Sequence, residues 1–415
     1  MKMSLWDYLD KHVSDIKLFG FFLAFAASSF SKSFCAVGLG VYVFGLIFQW
    51  IRDKGSYRLA YPNSVFLIVL LASLTVSLFV SDYFWVSFRG FWKFMEGFIL
   101  LYAGIDVLQD QKNMRWMVRV LAIVFFLSAL AGIWQDVFGH DFIYLRKPLV
   151  TSGHLPSRIT GAFKHYNDFG TFLVPGFAIA AALFLENWKS RKKVFALLSI
   201  FLFLALSHAL ARSMSRSALL AVFVSLFFFV SFFRFRWSAF MSLIILIVLL
   251  WLVPSPISSR LENLTSESGP ERLLLLKTSF AMVKESPFFG LGINTYSDNF
   301  PRFKPQTYPA LMYAHNSYMQ MAAEIGLVGL FFYLLFIASF LWRFIRAIVS
   351  NKSSYFRTLN VGVVSGIAGL LFNALFESLL QSTQLRTLFW SLMGIAAALT
   401  YNLLLKGDSL QPRAK

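Results

Sequence analysis

Long apolar runs separated by short polar breaks fill most of the chain, many near or above the ~18 residues that argue for a membrane helix. About twelve spans are predicted, near residues 16–31, 34–51, 64–80, 88–108, 116–136, 169–187, 194–211, 217–233, 237–254, 325–345, 358–381 and 386–405. Basic clusters fall in every second break. They are Lys2, Lys11 and Lys17, then "RDKGSYR", "QKNMRWMVR", "NWKSRKK", "FRFRW" and "WRFIRAIVSNKSSYFR", and finally Lys406, Arg413 and Lys415. Basic loops stay cytoplasmic, so both termini are expected inside.

The two longest breaks, about 137–168 and 255–324, then lie on the outer side. The second contains "ERLLLLKTSFAMVKESPFFGLGINTY", in which Leu273, Leu276, Phe280 and Val283 recur at helical spacing before Pro287 and Gly290. Two readings stand: an amphipathic helix on the outer membrane surface, or a helix packed on the bundle. No internal repeat or linker divides the chain, so one membrane domain is expected over residues 1–415.

Composition agrees with a polytopic all-α membrane protein. The 415 residues are 58% hydrophobic, with 49 Phe and 11 Trp, and only 14% are charged; the mean hydropathy is +0.65. With a net charge of +18 in such a chain, lipid headgroups and phosphorylated substrates are the expected partners rather than nucleic acid. The single cysteine, Cys35, excludes an intrachain disulfide and a multi-cysteine metal site. Residues Ala24–Ser28 loosely resemble a signal cleavage site, but a further apolar run follows at once, so the first run is expected to be a retained helix.

No P-loop, dinucleotide fingerprint, Asp-x-Asp pair or His-x-x-x-His spacing occurs. This argues against nucleotide-driven or metal-dependent work, and no cofactor is expected. The informative residues are basic, and all are predicted at the outer interface. They are Arg158 in "PSRITGAFKHYNDFGTF", Arg212 and Arg216 in "HALARSMSRSALL", Arg272 at the loop helix, His315 at the loop's end, and Arg386 in "QLRTLFW". Arginine near hydrocarbon is costly unless it is paired, faces a cavity or snorkels, and its planar fork suits phosphate oxygens. Convergence of several arginines on one end of a bundle therefore points to a diphosphate site.

Blander readings stand beside this one. Arg386 alone reads as a snorkelling residue, and Arg212 as the partner of a carboxylate such as Glu377. Arg89, Lys93 and Glu96 share one face of span four, as Asn373 and Glu377 do in span eleven. Either these residues neutralise one another or they wall a substrate cavity. His315 has the right ordinary pKa to take a proton near neutrality, with Asn316 and Glu324 as candidates to orient its ring or substrate hydroxyls. A lone histidine at a helix start is more often structural, and it is the arginines around it that favour chemistry.

"YAHNSYMQMAAEIGLVG" resembles the His-Asn…Glu-x-Gly-x-x-Gly signature of the O-antigen ligase and O-antigen polymerase superfamily. "RITGAFKHYNDFG", "SMSRSALLAV" and "ERLLLLKTSFAMVKESPFFGLGINTY" resemble three further segments of that family, in the same order. The resemblance implies a bacterial inner-membrane glycosyltransferase with a periplasmic active site and a large periplasmic loop. It implies an undecaprenyl-diphosphate-linked glycan as donor, Arg158, Arg216 and Arg272 on the diphosphate, and His315 as the base. One departure is Lys164-His165-Tyr166 before Asn167, where relatives often carry proline; it adds His165 and Lys164 to the site candidates. Transfer without ATP or metal, and with inversion, is expected. Lipid A–core is the favoured acceptor because the outer loops are basic. A polymerase using the same donor is the alternative, and a secondary transporter fits less well because polar residues crowd one interface and no half is duplicated.

Overall fold

The computed structural model describes residues 5–56, 64–148, 157–233, 269–304, 313–350 and 355–408. Among these the protein is all α-helical. The helices are α1 (Leu5–Ala27), α2 (Lys32–Arg52), α3 (Ser64–Phe79), α4 (Phe84–Val107), α5 (Gln111–Phe138), α6 (Tyr166–Lys189) and α7 (Lys193–Ser213). Then follow α8 (Arg216–Ser231), α9 (Gly269–Glu285), α10 (Tyr296–Phe303), α11 (Ser317–Ser350), α12 (Tyr355–Asn373) and α13 (Thr383–Asp408).

Six of them, α2, α5, α6, α7, α11 and α12, are long and apolar enough to cross a membrane, and α3 and α8 are shorter apolar helices. Helices α1, α4 and α13 also coincide with predicted spans but carry ionisable residues, among them Lys17, Arg89, Lys93, Glu96 and Arg386. The predicted span at 237–254 lies outside the described residues.

Helices α6 and α12 form the centre of the bundle. They pack on each other; α8 packs against both, α13 lies between α4 and α12, and α11 runs beside α3 and α13. Close approach is set by small residues: Gly104 of α4 faces Gly394 of α13, and a methyl on Gly104 would sit 2.8 Å from the Gly394 Cα. Some polar groups of the interior pair across helices. Asn360 Nδ2 donates to Thr400 Oγ1 at 3.0 Å, and Lys17 Nζ lies 2.8 Å from Asp106 Oδ2.

Several predicted boundaries moved, and two of the shifts bear on function. The helix expected from 325 starts at Ser317, because Asn316 Oδ1 accepts the backbone N–H groups of Tyr318 and Met319, both at 3.0 Å. The span expected to reach 381 ends at Asn373. Residues 374–382 instead turn across the start of α11, where Ser317 N donates to Ala374 O at 2.8 Å and Ser317 Oγ to Glu377 O at 2.7 Å. The loop helix α9 resolves its two readings by face. Leu275 and Met282 are buried in its packing against α11 along with Val283, while Leu273, Leu276 and Phe280 point outward.

Candidate active site

The site is assembled around a break in α11. Gly326 has φ 71 and ψ 176 inside an otherwise regular helix, a region that glycine alone enters at little cost. The segment Pro287–Gly292 docks into this break with backbone bonds in both directions. Leu327 N donates to Pro287 O at 2.7 Å, Leu291 N to Ala323 O at 2.9 Å and Gly292 N to Glu324 O at 3.0 Å. Gly290, at φ 72, faces the kink so closely that a methyl on it would lie 2.6 Å from Gly326 N. The Pro-x-x-Gly-x-Gly and Glu-x-Gly-x-x-Gly segments are therefore two halves of one joint.

Glu324 completes that joint and does not reach His315. Its carboxylate accepts from Asn294 N at 2.9 Å, Tyr296 N at 3.3 Å and Gln320 Nε2 at 3.0 Å. It thus caps the start of α10, where negative charge is favoured. The expectation that Glu324 orients the histidine is corrected: the carboxylate beside His315 is Glu377.

His315 stands immediately before the Asn316 cap, with φ 49, a left-handed conformation that histidine adopts more readily than most residues. Its Nδ1 lies 3.3 Å from Glu377 Oε2. Donation from Nδ1–H to the carboxylate leaves Nε2 as the basic ring nitrogen, and the anion would stabilise the ring once protonated. Glu377 is only 6% exposed. Ser317 holds it in place by bonding its carbonyl and by accepting from Leu379 N at 2.8 Å. Ser217 Oγ, at the start of α8, donates to Glu377 Oε1 at 3.4 Å, and Arg272 Nη2 of α9 lies 3.9 Å from the same oxygen.

The arginines divide by what already neutralises them. Arg212 Nε donates to Asp136 Oδ1 at 2.8 Å, and His208 Nε2 lies 3.1 Å from Asp136 Oδ2. The carboxylate partner anticipated for Arg212 is thus real, but it is Asp136 and not Glu377. Arg386, 4% exposed, donates from Nη2 to Glu96 Oε2 at 2.8 Å and from Nη1 to Leu380 O, so it is buried in an ion pair rather than snorkelling. Glu96 therefore serves Arg386 and not its own helix neighbours; Lys93 Nζ donates to Asn294 Oδ1 at 2.6 Å.

Arg158 and Arg216 have no carboxylate within 4 Å among the described residues. The Arg158 guanidinium lies 4.5 Å above the Tyr166 ring, and its Nε is buried without a hydrogen-bond partner among the described residues. An orphaned charged donor of this kind costs at least ~1–3 kcal/mol until an acceptor meets it. Arg216 is exposed at the first turn of α8, one residue before Ser217. Arg158, Arg216, Arg272, His315 and Glu377 thus come together at one end of the bundle. Arg212 flanks them, since Ile159 N donates to Arg212 O at 3.3 Å.

One site residue, Asp168, had no signal in the sequence, and Glu377, expected as an ion-pair partner or cavity wall, was not expected beside His315. Glu377 reads as part of a membrane span until the chain turns at 374. Asp168, in the first turn of α6, lies within electrostatic reach of Glu377, Lys32 and His315. It stands in "YNDFG", next to the Asn167 of the resembling segment.

His165 caps α6, its Nδ1 accepting from Asn167 N at 3.2 Å, while Lys164 points outward. Burial holds the His165 pKa below its ordinary value, with the nearby His315 and Arg158 charges adding to the effect and Glu377 opposing it. Because the folded-state value is depressed, the unfolded chain takes up the proton first. The stability contributed is complete above the ordinary value of about 6.5, and it is lost as pH falls through the folded-state value. His165→Asn keeps a capping side chain that does not titrate. Its melting temperature is expected to fall less than wild type between neutrality and mild acid, by the equivalent of about 1 kcal/mol. Parallel melting curves for the two proteins would contradict the capping role.

This fold and site define a helical membrane protein with a histidine–carboxylate pair and unneutralised arginines at one end. The model of the O-antigen ligase family matches residues 200–334, a stretch that holds Arg212, Arg216, Arg272, His315 and Glu324. Over that stretch the chain is similar to the O-antigen ligase family, in agreement with the motif resemblance. No curated protein matches the chain.

Proposed function

We propose that the protein transfers a glycan from undecaprenyl diphosphate to lipid A–core at the periplasmic face of the bacterial inner membrane, with both termini cytoplasmic. The donor arrives activated by its leaving group, so neither ATP nor a metal is required. The acceptor hydroxyl oxygen forms a bond to the anomeric carbon as the bond from that carbon to the diphosphate oxygen breaks. The proton passes to His315, and polyprenyl diphosphate departs. One direct displacement inverts the anomeric configuration.

Charge develops on the departing diphosphate, and preorganised donors aimed at developing charge stabilise the transition state most. Arg158, Arg216 and Arg272 take this role, with Arg212 held by Asp136 at the margin. Glu377 fixes the His315 ring and balances its positive charge. The observation that carries the reading is this sorting: two arginines without a carboxylate, and a third only loosely shared, beside a histidine–glutamate pair.

Alanine at Arg158, Arg216 or Arg272 is expected to lower kcat/KM for the lipid-linked donor by about 10- to 100-fold, the equivalent of one charge-assisted hydrogen bond. Arg212→Lys keeps a cation on Asp136 and is expected to change donor kcat/KM far less. Wild-type kcat/KM in all three folded alanine variants would overturn the assignment.

A further inference from the structure

A second cationic site, whose lining does not include Arg158, Arg216 or Arg272, lies beside the first. A cleft of about 470 Å³ opens between α2, α4 and α13, lined by Lys32, Arg89, Lys93, Arg386 and Glu96 among others. That volume suits a small-ligand site. Arg386 and Glu96 neutralise each other at 2.8 Å, so the cleft keeps three positive charges. Lys93 is bound only by neutral oxygens, those of Asn294 at 2.6 Å and Gln381 at 3.5 Å. Lys32 and Arg89 have no carboxylate within 4 Å among the described residues.

The remaining walls are apolar and lie deeper. Leu39 is two helical turns beyond Lys32, roughly 10 Å, and Leu100 three turns beyond Arg89, roughly 16 Å; both line the cleft together with Phe88 and Trp92. Outside it, Phe34 and Val37 of α2 and Trp85 of α4 are each more than half exposed, as on a helix surface turned to lipid. A polar mouth over an apolar floor, open to lipid on one side, has the shape and charge of a site for a phosphorylated amphiphile.

The cleft also touches the candidate active site. Lys93 reaches Gln381 in the 374–382 turn that presents Glu377, and Lys32 lies within electrostatic reach of Asp168, which in turn is within reach of His315 and Glu377. Transfer between two lipids needs two anion sites flanking one base.

We infer that this cleft seats the phosphate of the lipid that accepts the glycan, on Lys32, Arg89 and Lys93, with its chains along α2 and α4. The inference rests on the transferase reading above, in which the donor diphosphate occupies the arginines of α8, α9 and the 157–163 segment. The test is native mass spectrometry of the whole protein with phosphorylated lipid A as probe, run beside transfer kinetics. Lys32→Ala/Arg89→Ala is expected to weaken lipid A binding by about tenfold per cation and to raise the acceptor KM alike. Polyprenyl-diphosphate binding should be unchanged, and Lys32→Arg/Arg89→Lys should behave as wild type.

Unaltered lipid A binding in the alanine variant would overturn the inference, as would loss of polyprenyl-diphosphate binding in its place. Displacement of the lipid by inorganic phosphate at equal concentration would reduce the cleft to an unselective anion site and overturn it too. Wild-type protein that binds lipid A through these cations yet transfers no glycan would refute the transferase reading and leave the cleft standing. Normal acceptor kinetics in the alanine variant would do the reverse.

Discussion

Replacement of His315 by alanine is expected to slow glycan transfer by about 10²–10⁴-fold, the usual worth of a positioned general base. The loss should fall on kcat, because the diphosphate is held by other residues and the histidine acts on the acceptor proton. Alanine carries a second liability, since His315 sits at φ 49 and a left-handed backbone costs alanine roughly 1–2 kcal/mol. His315→Asn separates the two effects. Asparagine tolerates that conformation but cannot act as a base, and the Asn316 cap and Ser317 tether are left in place. Both variants should lose transfer alike, while only the alanine protein melts lower. Wild-type turnover in a folded His315→Asn protein would remove the histidine from the chemistry.

The largest structural effect is expected at Gly326. A methyl there would collide with the Phe288 carbonyl, and φ 71 with ψ 176 lies where an L side chain is strained. Strain of about 1–3 kcal/mol and overpacking of similar size together place Gly326→Ala at roughly 2–6 kcal/mol of destabilisation. The break would close or the Pro287–Gly292 segment would lift away, taking Asn294 and the α10 cap from Glu324. A sharply lower melting temperature and a poor yield of folded protein are the readouts. Gly290→Ala strikes the same joint from the facing strand of backbone, so the double variant should cost less than the sum of its parts. A Gly326→Ala melting temperature within a degree or two of wild type would show that the joint is not tightly built.

Helix positions were legible because runs of apolar residues report membrane-length elements directly. Eleven described helices overlap predicted spans, α9 was expected as a loop helix and α10 was not predicted; the span at 237–254 lies outside the described residues, and six helices are long and apolar enough to cross a membrane. The candidate site was legible as a list of residue types at one end, and less so as a set of pairings. Glu324 is nine residues from His315 in the sequence and one of two candidates to orient it, whereas Glu377 meets His315 from 62 positions away. That contact exists only because the chain turns at Ala374 and folds back over Ser317. Arg212 meets Asp136 from 76 positions away. Pairing across helices depends on packing, which a single sequence with no repeat does not display. The glycines of "SPFFGLG" and "EIGLVG" were visible separately, and their mutual fit appears only when the loop lies in the α11 break.

The most direct test of the account gives purified protein an undecaprenyl-diphosphate glycan, lipid A–core and a second lipid-linked glycan together, without ATP and with chelator present. Both products are followed. The account predicts glycan on lipid A–core in a one-to-one ratio with released polyprenyl diphosphate, and neither product from His315→Asn. A ladder growing on the polyprenyl lipid would contradict the ligase reading and make the same site a polymerase's. Absence of transfer to either acceptor from folded protein would contradict the account as a whole.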